Sequence, residues 1–77
     1  MKVKAKRRND SIFFYIPTSY LNEFRPGDIV LVLLQNRYIV GKVIRNSGKL
    51  YIRVPSCFSG LIKEGEEYEV KKVLHYV

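Results

Sequence analysis

Carboxylates are scarce in this chain: 7 Asp and Glu stand against 14 Lys and Arg, a formal charge of +7. That imbalance, with a pI near 9.8, predicts long-range attraction to polyanions such as nucleic acid or an anionic membrane surface. Cysteine is scarcer still. Cys57 alone permits no internal disulfide, and "MKVKAKRR" leads into no long apolar segment with a small-residue cleavage site. An intracellular, cytoplasmic protein is the expectation. The longest aliphatic run, Ile29 to Leu34, falls far short of the ~18 to 20 residues of a membrane helix, so a soluble chain with no membrane partner is expected. Histidine occurs once, at His75, which argues against general-base or ligand service. No Gly-rich phosphate loop is present. The glutamates of "KEGEEYE" lack calcium-loop spacing, so they read as a solvated acidic turn able to pair with Lys71 and Lys72. Cys57 has no histidine beside it and reads as a small buried hydrophobe. No catalytic constellation, metal set or cofactor motif emerges. The chain is expected to be no enzyme.

What the chain does have is repetition. Pro17 and Pro55 differ by 38 positions, as do Gly27 and Gly65, Val32 and Val70, Tyr38 and Tyr76, Lys4 and Lys42, and Arg7 and Arg45. Between those identities most pairs match in character: Ile12 with Leu50, Phe14 with Ile52, Ile16 with Val54, Tyr20 with Phe58, Asp28 with Glu66. A chain of 77 residues has room for one core. The organisation expected is therefore one domain, 1–77, built from repeats 1–38 and 39–77 that share that core.

Each repeat has a physical reading. "KVKAKRR" and "YIVGKVIR" alternate at period 2 and read as half-buried strands. "RNDS" and "RNSGK" supply turn chemistry, leading into second strands "IFFYI" and "LYIRV". Pro17 and Pro55 close those strands, and Thr18 and Ser56 offer oxygens to cap short helices. In those helices Tyr20 with Phe24, and Phe58 with Ile62, sit four apart and face one side. Gly27 and Gly65 end the helices where positive φ is needed, and another strand follows. Ile12, Phe14, Ile16, Val30, Val32, Leu50, Ile52, Val54 and Val70 are the expected core, with at least one of Phe24 and Ile62.

The order strand, strand, Ile/Val-Pro, short helix, (Pro/Glu)-Gly-acid, strand resembles the AbrB/SpoVT/MraZ group of swapped-hairpin, cradle-loop barrel DNA-binding domains. The resemblance spans nearly the whole chain, with both halves of the usual intertwined dimer fused. It implies a mainly β fold: a small pseudo-two-fold β-barrel of the swapped-hairpin, double-psi or RIFT kind, with one short helix per repeat. It also implies that a monomer suffices for the fold, and that the chain is a DNA-binding transcription regulator. The surface implied comprises hairpin tips and adjacent strands: Lys6, Arg7 and Arg8 in the first repeat, Arg45, Lys49 and Arg53 in the second.

Electrostatics point the same way independently. On a strand, Lys2, Lys4, Lys6 and Arg8 share one face about 7 Å apart, a row suited to a phosphate backbone. If the aliphatic residues face inward, Phe13, Tyr15 and Tyr51 face outward beside cations, an arrangement that can stack bases. The candidate nucleic-acid residues are Lys4, Lys6, Arg7, Arg8, Lys42, Arg45, Lys49, Tyr51 and Arg53. Nucleic acid is the expected partner, with DNA favoured. A protein-interaction or adaptor module, or an RNA or single-strand binder, is the alternative.

Overall fold

A computed structural model describes residues 1–9 and 11–73. The expectations for His75 and Tyr76, and for Asp10 in the first turn, lie outside the described residues. Six strands form: β1 (Lys2–Arg8), β2 (Ser11–Tyr15), β3 (Ile29–Leu34), β4 (Arg37–Asn46), β5 (Lys49–Arg53) and β6 (Glu67–Lys72). They close into an antiparallel barrel in the order β1-β2-β5-β4-β3-β6, with β6 returning to β1. The protein is mainly β, as the alternation predicts.

Period-2 burial drives the closure. Val3 and Ala5 on β1, Ile12 and Phe14 on β2, Val30 and Val32 on β3, Val43 on β4, Ile52 on β5 and Val70 on β6 all point inward and are buried. Phe24 and Ile62 are buried as well, so every expected core residue lies inside. Removing this surface from water at ~25 cal/mol per Å² is the main force closing so small a barrel. The tight hairpins turn on left-handed residues: Asn9 (φ 55°), Gln35 (φ 57°) and Ser47 (φ 52°), the dihedrals that match the twist of paired strands.

The connections from β2 to β3 and from β5 to β6 carry the two short helices, Thr18–Glu23 and Ser56–Leu61. Both are 3-10 helices, and neither Thr18 nor Ser56 makes the expected capping bond. The first bonds instead run between backbones, Tyr20 N–H to the Pro17 carbonyl (2.9 Å) and Phe58 N–H to the Pro55 carbonyl (3.1 Å). Tyr20 and Phe24 therefore do not share a helical face. The helix stops at Glu23, Phe24 is extended (φ −128°) and buried, and Tyr20 stays exposed. Gly27 and Gly65 (φ 94° and 86°) lie in the turns beyond, before β3 and β6, not at the helix ends. Cys57, expected inside, is exposed, because its helix buries no residue.

The ladders recur at the 38-residue spacing. Ala5 pairs with Phe14 as Val43 pairs with Ile52, and Lys4 pairs with Glu67 as Lys42 pairs with Ile29. Gly27 N–H donates to the Val43 carbonyl (2.7 Å), and Gly65 N–H donates to the Ala5 carbonyl (2.9 Å). Side chains diverge on this shared backbone. The Asp28 carboxylate is buried, accepts the Arg25 N–H (2.9 Å) and lies 3.4 Å from the Lys72 ammonium. Glu66, 38 positions on, is exposed, and the Tyr68 hydroxyl accepts the equivalent Lys63 N–H (2.8 Å). Lys72 thus serves Asp28, and Lys71 lies over the Tyr38 ring at 5.4 Å. In place of the expected pairing with the glutamate cluster, Lys72 meets the turn before β3 and Lys71 meets β4. Gly41 stands where β1 has Val3, and a Cβ there would meet Ile52 Cγ2 at 2.7 Å, so the bulk of Ile52 fills its place.

Two stability measurements check these contacts. Asp28→Ala should lower unfolding stability in urea by about 1 to 3 kcal/mol, through loss of a buried acceptor. Glu66→Ala should stay within about 0.5 kcal/mol of the parent. Gly41→Ala should cost about 1 to 3 kcal/mol by overpacking against Ile52, whereas Gly60→Ala, whose Cβ meets nothing within 4 Å, should be nearly silent.

Candidate nucleic-acid interface

The residues facing out from β1, β2, β5 and β4 form one continuous surface, because inward aliphatics force their neighbours outward. Across the strands the register sets Lys6 beside Phe13, Phe13 beside Arg53, and Arg53 beside Lys42. At ~4.8 Å per strand this row is about 14 Å long. In the next row Tyr15 faces Tyr51, and Tyr51 faces Ile44. Phe13, Tyr15 and Tyr51 are half-buried against one another. Their ring centroids lie 5.3 Å (Phe13–Tyr15), 5.3 Å (Phe13–Tyr51) and 4.8 Å (Tyr15–Tyr51) apart, the first two edge-to-face. The Lys49 ammonium sits 5.7 Å over the Tyr15 ring. Such contacts hold the three rings against one another while leaving each partly exposed.

Beside this cluster lies an open groove of about 930 Å³. Phe13, Tyr51 and Arg53 form one side, Ile29 and Val40 the other, and Pro55, Ser56 and Ser59 line it as well. Arg8, Lys42 and Arg53 reach it, and no Asp or Glu is among the described residues lining it. Lys42 and Arg53 are direct cross-strand neighbours, a like-charge juxtaposition that weakens a sheet unless an anion lies between.

The sequence candidates separate into three groups. Lys6, Arg8, Lys42, Lys49, Tyr51 and Arg53 gather on this face. Lys4 is turned out on the same strand as Lys6, but its register partner on β6 is Glu67, and that of Lys2 is Glu69. Half of the basic row of β1 therefore runs alongside carboxylates, which the sequence of β1 alone does not reveal. Arg7 and Arg45 fall on the inward parity beyond the core, exposed at the rims. Since β2 runs antiparallel to β5, the two hairpin tips lie at opposite ends of the barrel, and these arginines do not join one patch. Glu64 accepts the Arg7 backbone N–H (3.3 Å). Residues not singled out for binding also contribute: Ile29 and Val40, exposed at 38% and 54%, wall the groove. The signal for Ile29 was the run "IVLVLL", apolar on both faces of a strand, which is unusual where one face meets water, and that for Val40 was an outward apolar residue in "YIVGKV".

No protein-family model, curated protein or solved structure matches the chain. Among the described residues no helix is long and apolar enough to cross a membrane, and no three His, Cys, Asp or Glu residues group so as to hold a metal ion.

The Tyr51 hydroxyl has its pKa raised above the usual 10.0, first by desolvation, then by the adjoining Tyr15 side chain, with Arg8 acting oppositely. A raised folded-state value means that the native chain holds this proton more tightly. The stability it contributes is present below pH 10 and lost as pH rises through the folded value. Tyr51→Phe should flatten the alkaline limb of the stability profile, measured as denaturation midpoint against pH from 8 upward in steps of about 0.5.

Proposed function

We propose that this chain is a non-enzymatic nucleic-acid-binding protein, DNA being the favoured ligand, that acts as a cytoplasmic transcription regulator of the AbrB-like kind. The reading rests on one observation: Lys42 and Arg53 stand directly opposed, in a row with Phe13 and Lys6, on a groove without a described carboxylate. Cations held together without counter-charge form a site for a polyanion. The 38-residue recurrence of ladders and turn bonds supports a barrel of the swapped-hairpin, double-psi or RIFT kind with a pseudo-two-fold axis. All six strands come from one chain, which favours a monomer as the folded unit.

A second reading has its own observation. Tyr38 and Val40 on β4 and Ile29 on β3 are exposed large apolar residues on one hairpin, a surface that suits a protein-interaction or adaptor module.

Gel-shift or anisotropy titrations across salt separate the two. Nucleic acid should bind with an affinity that falls steeply with salt, each phosphate contact adding about −0.9 to the log-log slope on duplex and about −0.7 on single strands. The Lys42→Ala, Arg53→Ala double variant should reduce the magnitude of that slope by up to ~2. The rim variant Arg45→Ala should change it less. Absence of any binding at about 50 mM salt, where non-specific contacts are visible, would leave the adaptor reading.

A further inference from the structure

We propose that the nucleic acid held on this face is a single strand, its unpaired bases stacked on Phe13 and Tyr51 and its phosphates on the cations either side. This deepens the nucleic-acid reading above and rests on it.

Three observations carry the inference. The first is the order of chemistry across the sheet. Phe13 on β2 has Lys6 on one side and Arg53 and Lys42 on the other, and in the adjoining row Tyr51 on β5 lies between Tyr15 and Ile44. A single strand presents a base plane flanked by phosphates, and aromatic rings that face outward reward bases free of their own stack. In a duplex those planes are already occupied by neighbouring base pairs, and only edges remain to be read.

The second is shape. The major groove of duplex DNA, about 12 Å wide, admits a helix or a two-stranded ribbon. Here the aromatic and cationic groups spread over four strands, about 14 Å, and border an open groove lined by Ile29, Val40, Pro55, Ser56 and Ser59. A four-strand face of that breadth is wider than the groove it would have to enter, whereas the open groove beside it has room for a flexible strand.

The third is asymmetry. Duplex recognition by two equivalent halves goes with two-fold sites. The backbone ladders here recur at 38 positions, but most outward side chains do not: Lys4 matches Lys42, whereas Lys6 corresponds to Ile44, Arg8 to Asn46, Ser11 to Lys49 and Tyr15 to Arg53. Only the central Phe13 and Tyr51 are matched as rings. Cations therefore lie on β1 in one half and on β4 and β5 in the other, giving the face a direction. A single strand has a direction.

The test uses the intact chain and three fluorescein-labelled probes of equal length, oligo(dT), oligo(rU) and a mixed-sequence DNA duplex, at about 50 mM and about 200 mM salt. Either or both single strands should bind at least tenfold tighter than the duplex, and their order tells DNA from RNA. Phe13→Ala and Tyr51→Ala should each weaken single-strand binding by roughly five- to hundredfold with the salt slope unchanged. Tyr51→Phe, which keeps the ring, should restore most of the affinity that Tyr51→Ala loses. Should an alanine variant unfold, Phe13→Leu and Tyr51→Leu keep the apolar bulk without the π face, and the same loss is expected of them. Equal or tighter duplex binding overturns the single-strand inference while leaving the nucleic-acid reading standing, as does full affinity in the ring-less variants. No binding to any of the three probes overturns both.

Discussion

The ladder between β2 and β5 is the contact on which the rest of the molecule depends. It joins the β1–β2 hairpin to the β4–β5 hairpin and sets Phe14 opposite Ile52, both fully buried. Without it each hairpin would leave a free edge and half a core, and isolated hairpins are marginal in water. The same three register pairs also place Phe13 beside Arg53 and Tyr15 beside Tyr51 on the outside. Core and candidate site are thus two faces of a single pairing. A slip of one residue would put the aromatic cluster into the barrel and expose the aliphatics, so burial inside fixes what is displayed outside.

Charge is sorted by the same topology. The closing ladder between β1 and β6 sets Lys2 opposite Glu69 and Lys4 opposite Glu67, and the amino terminus lies 3.3 Å from Glu69. Asp28 takes Lys72. The described carboxylates gather around β6 and the turns before β3 and β6, where they counter nearby cations. The cations of β4 and β5 have no such neighbours on their strands. A net charge of +7 therefore understates the positive character of one face and overstates that of the other.

Much of the fold could be read in the sequence, because its signals were local. Alternation placed Ile12, Phe14, Leu50, Ile52 and their partners inside, and the 38-residue spacing anticipated ladders that recur in step. What escaped was whatever depends on a strand's far neighbours. That Lys4 faces Glu67, that Arg53 stands between Phe13 and Lys42, and that the hairpin tips point to opposite ends follow from the order β1-β2-β5-β4-β3-β6, which no short window contains. The two short helices were legible at Thr18 and Ser56, but their winding and their caps were not, for a different reason. Two turns bounded by proline and by a buried Phe24 or Ile62 must descend to the barrel within six residues, and the tighter 3-10 winding gains more length per residue than an α-helix.

Inward and outward positions are held to unequal standards by this architecture. Inward positions meet each other across shared ladders, so Phe14 answers Ile52 and Val32 answers Val70, and a change on one side must be absorbed by the other. Gly41 illustrates this: the Val3 volume is missing, and Ile52 occupies the space. Outward positions carry no such obligation. There the halves have parted, with Lys6 against Ile44, Arg8 against Asn46 and Tyr15 against Arg53, on strands whose backbone pairings still coincide. A surface free to vary, bordered by a core that is not, is where recognition can be specialised at least cost to stability. Whatever selectivity this protein has should therefore reside in the pairs that differ, and its affinity in the row of cations and rings that the β2–β5 ladder assembles.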